Sequence, residues 1–170
     1  MRRPPVLVPV EEYLRTSFEG PDREYVDGVV VERHVGEKSH SRMQRKLVAL
    51  FAQMEPTART YCFPEQRLQV APTRFRVPDL CVYLEREPEE EIFTTPPFLV
   101  VEILSPCDRH SEVMEKISDY LRFGVPWIWV IDPRAPRGWI YTADGGREAP
   151  DGILRTENPT LAAPLAELVA

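Results

Sequence analysis

The segment 98–132 constrains the fold of this chain more than any other part of the sequence. It runs from an apolar stretch, FLVVEIL, through an amphipathic stretch at 109–124 to a second apolar stretch, PWIWVID. Short apolar runs bounded by turn residues are typical of buried strands, and apolar residues at helical spacing indicate a helix. Strands separated by helices need helices to cover the sheet, so we predict an α/β or α+β fold with a central mixed sheet.

Two helices are predicted to cover this sheet. The first spans 39–55, and Pro56 should end it because the residue before a proline disfavours helical backbone. The second spans 109–124, with Asp108 as its N-cap and Gly124 at its C-terminal end. The apolar residues of the first helix that fall along one stripe are Met43, Leu47, Leu50, Phe51 and Met54.

The remaining strands are predicted on both sides of the second helix. A hairpin is expected in REYVDGVVVER, because Asp27-Gly28 separates two β-prone flanks. Three apolar strands should follow in YCFPEQRLQV, FRVPDLCVYL and PPFLVVEIL, and Pro64 indicates an edge position or an irregular start for the first. PWIWVID should pair with RGWIYTA across the PRAP turn. We also expect a short helix at 10–18 and a closing helix in LAAPLAELV.

The composition indicates one globular domain over residues 1–170, with 1–9 flexible. The chain is 43% hydrophobic, enough for a substantial core. Prolines and Glu11 interrupt the N-terminal segment before a signal-peptide core could form, and no apolar run reaches membrane-spanning length. We therefore expect a cytoplasmic protein with no membrane partner. Its three widely spaced cysteines suit neither a disulfide framework nor a zinc ribbon.

The distribution of charge bears on binding to nucleic acid. The formal net charge is −6, which argues against strong, indiscriminate binding to phosphate. The charge is uneven, since residues 42–76 hold seven basic and only two acidic side chains. A solvated mixed surface is the common explanation for such a segment, and contact with phosphate is the alternative.

Two carboxylates in apolar surroundings are the strongest chemical signal. Glu102 interrupts FLVVEIL, and Asp79 has a similar place in RVPDLCVYL. An unpaired buried charge costs several kcal/mol, so each acid must be paired, protonated or bound to a cation. If the two strands are neighbours, both carboxylates can meet at one spot, where Mg²⁺ or Mn²⁺ would relieve their repulsion. The alternative is that each acid lies at a strand end, solvated or bonded to backbone amides.

Two further polar residues lie at the edges of the predicted apolar stripes. Lys116 is roughly 60° from Val113 and 40° from Tyr120 around the second helix, so its ammonium group can return toward the Glu102 strand. An isolated lysine at such a border more often simply reaches solvent. His40 lies within about 60° of Met43 on the first helix, and it is either a site residue or a capping or hydrogen-bonded imidazole.

The pattern of these residues resembles the PD-(D/E)XK nuclease superfamily. Pro78-Asp79 supplies the PD pair, and Glu102 and Lys116 supply the following acid and lysine. Leu104 stands where the simplest motif of the superfamily has its lysine. In the family within this superfamily that the sequence resembles most, the lysine lies on the next helix, and Lys116 matches it. The match is tightest to a family of restriction endonuclease-like proteins abundant in cyanobacteria, over about 24–143. The matching positions are Glu102, Ser105, Pro106, Glu115, Lys116, Tyr120, Gly124, Trp129, Asp132 and Pro133.

This resemblance implies a restriction-endonuclease-like fold and a metal-dependent endonuclease that hydrolyses phosphodiester bonds in DNA. Asp79, Glu102 and the Ile103 backbone carbonyl would bind Mg²⁺ or Mn²⁺, and Lys116 would complete the catalytic set. Cleavage of both strands needs two sites, which is compatible with a homodimer. The side chains expected to line the site are His40, Glu65, Gln66 and Tyr120.

Two other interpretations of the same residues stay open. The fold could serve as a catalytically inactive module for nucleic-acid binding or protein assembly, to which the acidic net charge gives some weight. Glu102 and Lys116 could also form a purely structural ion pair. Divalent-metal binding and cleavage together separate these interpretations from the nuclease.

Overall fold

The computed structural model describes residues 6–34 and 36–170. The chain forms four helices and twelve strands within these ranges. The helices are α1 (Val10–Arg15), α2 (Lys38–Ala58), α3 (His110–Phe123) and α4 (Leu165–Val169). The strands are β1 (Glu24–Val26), β2 (Val29–Val31), β3 (Thr60–Pro64), β4 (Leu68–Ala71), β5 (Arg74–Arg76), β6 (Leu80–Leu84), β7 (Leu99–Ile103), β8 (Trp127–Asp132), β9 (Arg137–Thr142), β10 (Gly145–Glu148), β11 (Ile153–Arg155) and β12 (Ala162–Pro164).

The central sheet has six strands in the order β10-β9-β8-β7-β6-β3. β7 and β8 are parallel and are connected through α3, whereas every other neighbouring pair is antiparallel. The predicted mixed sheet is therefore confirmed, and so is the pairing of β8 with β9. β3 is an edge strand, as Pro64 indicated, because a proline cannot donate to a further neighbour.

The two long helices lie on opposite faces of the central sheet. The stripe Met43, Leu47 and Phe51 of α2 packs on one face, in a core that includes Val101 and Trp129. The other face carries a second core, to which α3 contributes its apolar stripe. Successive residues of a strand point to opposite faces, so Glu102 lies on the α3 face of β7, between two residues of the α2 face. None of the helices in the described ranges is long and apolar enough to cross a membrane.

A second sheet of four strands, in the order β2-β1-β5-β4, packs against α3. Its β1–β2 hairpin turns at Asp27 and Gly28, which have φ values of 48° and 95°. Two successive residues with positive φ are what a tight two-residue hairpin of this hand requires, so the predicted turn is present. A third, two-stranded sheet joins β11 and β12 ahead of α4.

The structure corrects two of the predicted strands. YCFPEQRLQV forms β3 of the central sheet and β4 of the four-stranded sheet. FRVPDLCVYL likewise forms β5 of the four-stranded sheet and β6 of the central sheet. Pro78 has no N–H to continue a ladder, so the second strand is interrupted there. Asp79 consequently lies in the connection just before β6 and not within the strand. β10 was not predicted, since its sequence GGRE has low β-propensity.

The predicted ends of the two long helices differ from the structure in two places, and the two short helices cover only part of the predicted segments, as α1 (Val10–Arg15) and α4 (Leu165–Val169). α2 runs past Pro56 to Ala58 and ends at Arg59 in a left-handed conformation. The N-cap of α3 is Arg109, which makes no side-chain capping bond. Asp108 instead accepts a hydrogen bond from the backbone N–H of Ser105 at 2.7 Å, so its carboxylate stabilises the preceding turn.

The flexibility predicted for residues 1–9 concerns in part a segment that the structure does not describe, residues 1–5. Within the described part, the backbone N–H of Val8 donates to the carbonyl of Gly28 at 2.8 Å. Val8 also packs beside the cluster of Tyr13, Tyr25 and Phe75.

Candidate active site

A cleft of about 370 Å³ lies between the β1–β2 hairpin, the end of β7 and the first half of α3. Residues from both large sheets and from α2 and α3 line it. Its ionisable lining residues include Glu24, Arg33, His40, Asp79, Glu102 and Lys116. Most are buried carboxylates or cations, so the cleft concentrates charge in an environment where solvent screens it poorly.

Asp79 is fixed by bonds to both of its carboxylate oxygens and is only 5% exposed. Oδ2 accepts a hydrogen bond from the backbone N–H of Ile103 at 2.7 Å. Oδ1 lies 3.1 Å from His40 Nε2 and 3.2 Å from Arg33 Nη2. Burial works to raise the pKa of Asp79, but these donors outweigh it and hold the pKa below its ordinary value. The carboxylate is therefore ionised.

Glu102 comes next to Asp79 because β6 and β7 are antiparallel neighbours, with Leu80 opposite Val101. Its Oε1 accepts a hydrogen bond of 2.6 Å from the Tyr120 hydroxyl, and its Oε2 lies 3.3 Å from Lys116 Nζ. Burial raises the pKa of Glu102 to about 7, since the nearby anions add to desolvation and the lysine only partly compensates. Glu102 can thus hold or release a proton near neutral pH.

Lys116 lies between two carboxylates. Its Nζ is 3.2 Å from Glu24 Oε1 and 3.3 Å from Glu102 Oε2. Burial works to lower the pKa of Lys116, but the charges of Glu102 and Glu24 raise it above its ordinary value. The ammonium group is therefore charged, and its position follows from the α3 register, which turns Lys116 toward the end of β7.

Glu24 has two further partners besides Lys116. Its Oε2 is 3.0 Å from Arg76 Nη1, and its Oε1 accepts a hydrogen bond from the backbone N–H of Val77 at 3.1 Å. Burial works to raise the pKa of Glu24, but Lys116 and Arg76 lower it below its ordinary value. Arg76 in turn bonds the buried Asp119 of α3 through Nε at 2.8 Å. These contacts connect the four-stranded sheet to the helix that carries the lysine.

The structure brings together most of the residues that the sequence singled out. Asp79, Glu102 and Lys116 share the cleft, and His40 contacts Asp79 directly. Tyr120 lies behind the cleft and reaches it through its bond to Glu102.

Besides Tyr120, two more of the residues expected to line the site, Glu65 and Gln66, lie outside the cleft lining. Glu65 is exposed at its margin, with Oε1 3.8 Å from Arg33 Nη1. Gln66 points elsewhere, because its amide donates to the carbonyls of Arg67 and Glu91.

Sequence reasoning missed Glu24 and Arg33 as candidate site residues. Both lie near the ends of the short predicted hairpin, where charged residues usually face solvent. Glu24 is only 2% exposed, and the Arg33 side chain is 11% exposed. The one available signal was the position of Glu24 at the start of EYVDGVVVE, within the segment about 24–143 over which the sequence resembles the family.

The donor set suits a hard divalent cation. Mg²⁺ usually takes one or two carboxylates, and water and substrate oxygens complete its shell. Asp79 and Glu102 supply two buried carboxylates, and their mutual repulsion is the kind that a cation relieves. The cation would need water or substrate oxygens as further ligands, because in residues 6–34 and 36–170 no three His, Cys, Asp or Glu side chains are placed to hold a metal ion.

Comparisons with known proteins place this architecture in a family. The model of the Uma2 family, described as "Putative restriction endonuclease", matches residues 10–169. A crystal structure of a putative nuclease belonging to DUF820 from Anabaena variabilis ATCC 29413 superposes with a TM-score of 0.81 at 24% sequence identity, over 95% of this chain and 97% of the other. That likeness shows a shared fold. No curated protein matches the sequence. With almost its whole length matched, the chain belongs to the Uma2 family of putative restriction endonucleases.

Proposed function

We propose that this chain is a metal-dependent endonuclease that hydrolyses phosphodiester bonds in DNA, with Asp79, Glu102 and Lys116 as its catalytic residues. The observation that carries the proposal is the convergence of two buried carboxylates and a charged lysine in one cleft. They come from the connection just before β6, from β7 and from the crossover helix α3. The family and the fold support a nuclease, and a nuclease acts on nucleic acid.

Asp79, Glu102 and the Ile103 carbonyl would hold Mg²⁺ or Mn²⁺ in this proposal. When bound, such a cation supplies Lewis-acid polarisation of a phosphodiester and lowers the pKa of water. The protein fixes the carboxylates in advance, because Ile103 N–H restrains Asp79 and the Tyr120 hydroxyl restrains Glu102. Preorganised groups of this kind need no rearrangement when charge develops in the transition state.

Lys116 would orient the attacking water and stabilise charge on the phosphorus centre. Its ammonium group is charged and is bound by two carboxylates, and Lys116 lines the cleft. Glu24 would act as a positioning residue, because it holds Lys116 without lying beside Asp79. His40 would keep Asp79 ionised and oriented through the 3.1 Å contact to Oδ1.

A catalytically inactive module is the second candidate function. One observation favours it: each of the two central carboxylates already has a cationic partner, Arg33 and His40 on Asp79 and Lys116 on Glu102. Divalent binding without cleavage would support such a module. Neither binding nor cleavage would support a structural ion pair.

Cleavage of duplex DNA in Mg²⁺ or Mn²⁺ tests the proposal. We expect the parent protein to cleave only with a divalent cation, and Asp79→Ala and Glu102→Gln to lose both cation binding and cleavage while keeping the circular dichroism spectrum of the parent. Glu85→Gln is the matched control, because Glu85 is an exposed carboxylate paired with Arg59 away from the cleft. Metal-independent cleavage, or full cleavage by both cleft variants, would refute the assignment.

A further inference from the structure

We propose that Arg33 binds a phosphate group of the nucleic-acid backbone, and that it leaves Asp79 in order to do so. The inference rests on the proposed nuclease function and adds a substrate-binding residue to the same cleft. Arg33 follows β2 in an irregular segment, so its backbone is not held by a strand ladder at that point. It lines the cleft together with residues of the β1–β2 hairpin and of α3.

The guanidinium group of Arg33 is poorly satisfied where it lies. It presents five N–H donors, and Nη2 forms one hydrogen bond of 3.2 Å to Asp79. Nη1 is buried and has no hydrogen-bond partner among the described residues. Glu65 Oε1 is 3.8 Å away, which is too long for a hydrogen bond. A buried donor without an acceptor is costly, so an incoming anion gives this side chain bonds that it lacks at present.

Arg33 also occupies the side of Asp79 from which a divalent cation would approach. Asp79 Oδ2 is turned into the protein, where it accepts the Ile103 N–H. Oδ1 contacts Arg33 and His40, which both line the cleft. An arginine keeps its charge at every physiological pH, so Arg33 and a divalent cation repel each other at this oxygen. Cation binding therefore favours the release of Arg33 into the cleft.

A phosphodiester is the anion that the released side chain suits. The planar guanidinium fork matches two oxygens of a phosphate group, and the resulting hydrogen bonds are charge-assisted. Arg33 is carried by the segment after β2 and Lys116 by α3, and both line the cleft, so a backbone that binds there meets two cations. Arg33 thus serves two states, as counter-ion of Asp79 in the metal-free protein and as phosphate ligand in the loaded one.

Two binding measurements on Arg33→Ala test this exchange, because they should move in opposite directions. Titration calorimetry with Mn²⁺ alone should give an affinity at least about fivefold higher than that of the parent, since a competing cation is gone. Fluorescence anisotropy with a duplex oligonucleotide in saturating Ca²⁺, used as the divalent cation in place of Mn²⁺, should give an affinity about tenfold lower than that of the parent, and the affinity in EDTA, where Arg33 stays on Asp79, should change less. The slope of log affinity against log salt should fall in magnitude by about 0.9, the loss of one phosphate contact.

Further variants separate this exchange from a general loss of structure. Arg33→Gln should behave as Arg33→Ala does, whereas Arg33→Lys should keep the Mn²⁺ affinity of the parent and lose part of the duplex affinity. Arg59→Ala removes an arginine paired with Glu85 outside the cleft and should change neither affinity.

An unchanged duplex affinity in both neutral variants, or a weakened Mn²⁺ affinity in them, would overturn the inference while the nuclease proposal stands. A parent protein that binds no Mn²⁺ would overturn both.

Discussion

The substitution Lys116→Met tests how much the buried lysine contributes to the stability of the protein. It removes the ammonium group that lies 3.2 Å from Glu24 and 3.3 Å from Glu102. Removing one partner of a buried ion pair costs about 3–5 kcal/mol of unfolding free energy. Glu24 keeps Arg76 and the Val77 N–H as partners, which limits its share of the loss. Most of the remaining cost falls on Glu102.

The cost at Glu102 depends on pH. Burial raises the pKa of Glu102 to about 7 in the folded protein, against an ordinary value of 4.5. The folded state therefore binds more protons than the unfolded state between these values, and the contribution of Glu102 to stability falls as pH rises through that window. In the parent this fall ends near pH 7. Without Lys116, which lowers the pKa of Glu102, the fall continues to higher pH.

We therefore expect Lys116→Met to lose about 1 kcal/mol of unfolding free energy at about pH 6 and about 3 kcal/mol at about pH 8.5, because a shift of one pKa unit is worth about 1.4 kcal/mol. Urea denaturation of parent and variant at both pH values measures this difference. Lys38→Met, at an exposed lysine, is the control and should change stability by less than about 0.5 kcal/mol at either pH. An equal loss at both pH values would refute the assignment of the pH dependence to Glu102.

Two further substitutions test the positions of the site residues. Tyr120→Phe removes the 2.6 Å hydrogen bond to Glu102 and should cost about 1–2 kcal/mol in urea denaturation; an unchanged midpoint would argue against that bond. Glu24→Gln leaves Lys116 and Arg76 each with one charged partner fewer, so we expect a loss of about 3 kcal/mol, whereas Glu32→Gln in the exposed pair with Arg23 should lose little. A loss from Glu24→Gln no larger than the control's would contradict the buried network.

The order of the main elements could be predicted because strong local patterns set it. The apolar runs of β7 and β8 and the helical stripes of α2 and α3 each specify an element without help from the rest of the chain. The division of two predicted strands between sheets could not be read from the same patterns. The division depends on which strands each half pairs with in the folded protein. Pro78 interrupts the second predicted strand, but this could be recognised only once the two sheets were known.

The candidate site could be predicted only where a charged residue occurs in an apolar segment of the sequence. Glu102 and Asp79 stand out as carboxylates in apolar sequence, and the helical phase of Lys116 points it toward them. Glu24 and Arg33 do not stand out, because a charged residue beside a three-residue strand is ordinary. Glu24 is buried where β1 meets Lys116 of α3, and Arg33 is largely covered where it contacts Asp79, and no local pattern encodes these tertiary contacts.

The most direct test of this account is the position of a cation in the crystal. Crystals of the protein soaked in Mn²⁺ should show an anomalous difference peak between the carboxylates of Asp79 and Glu102, within coordination distance of both. The Arg33 side chain should have moved away from Asp79 Oδ1. Crystals that diffract well and show no peak at this place, with Lys116 and Arg33 still bound to the two carboxylates, would contradict the proposal that these residues form a metal-dependent catalytic site.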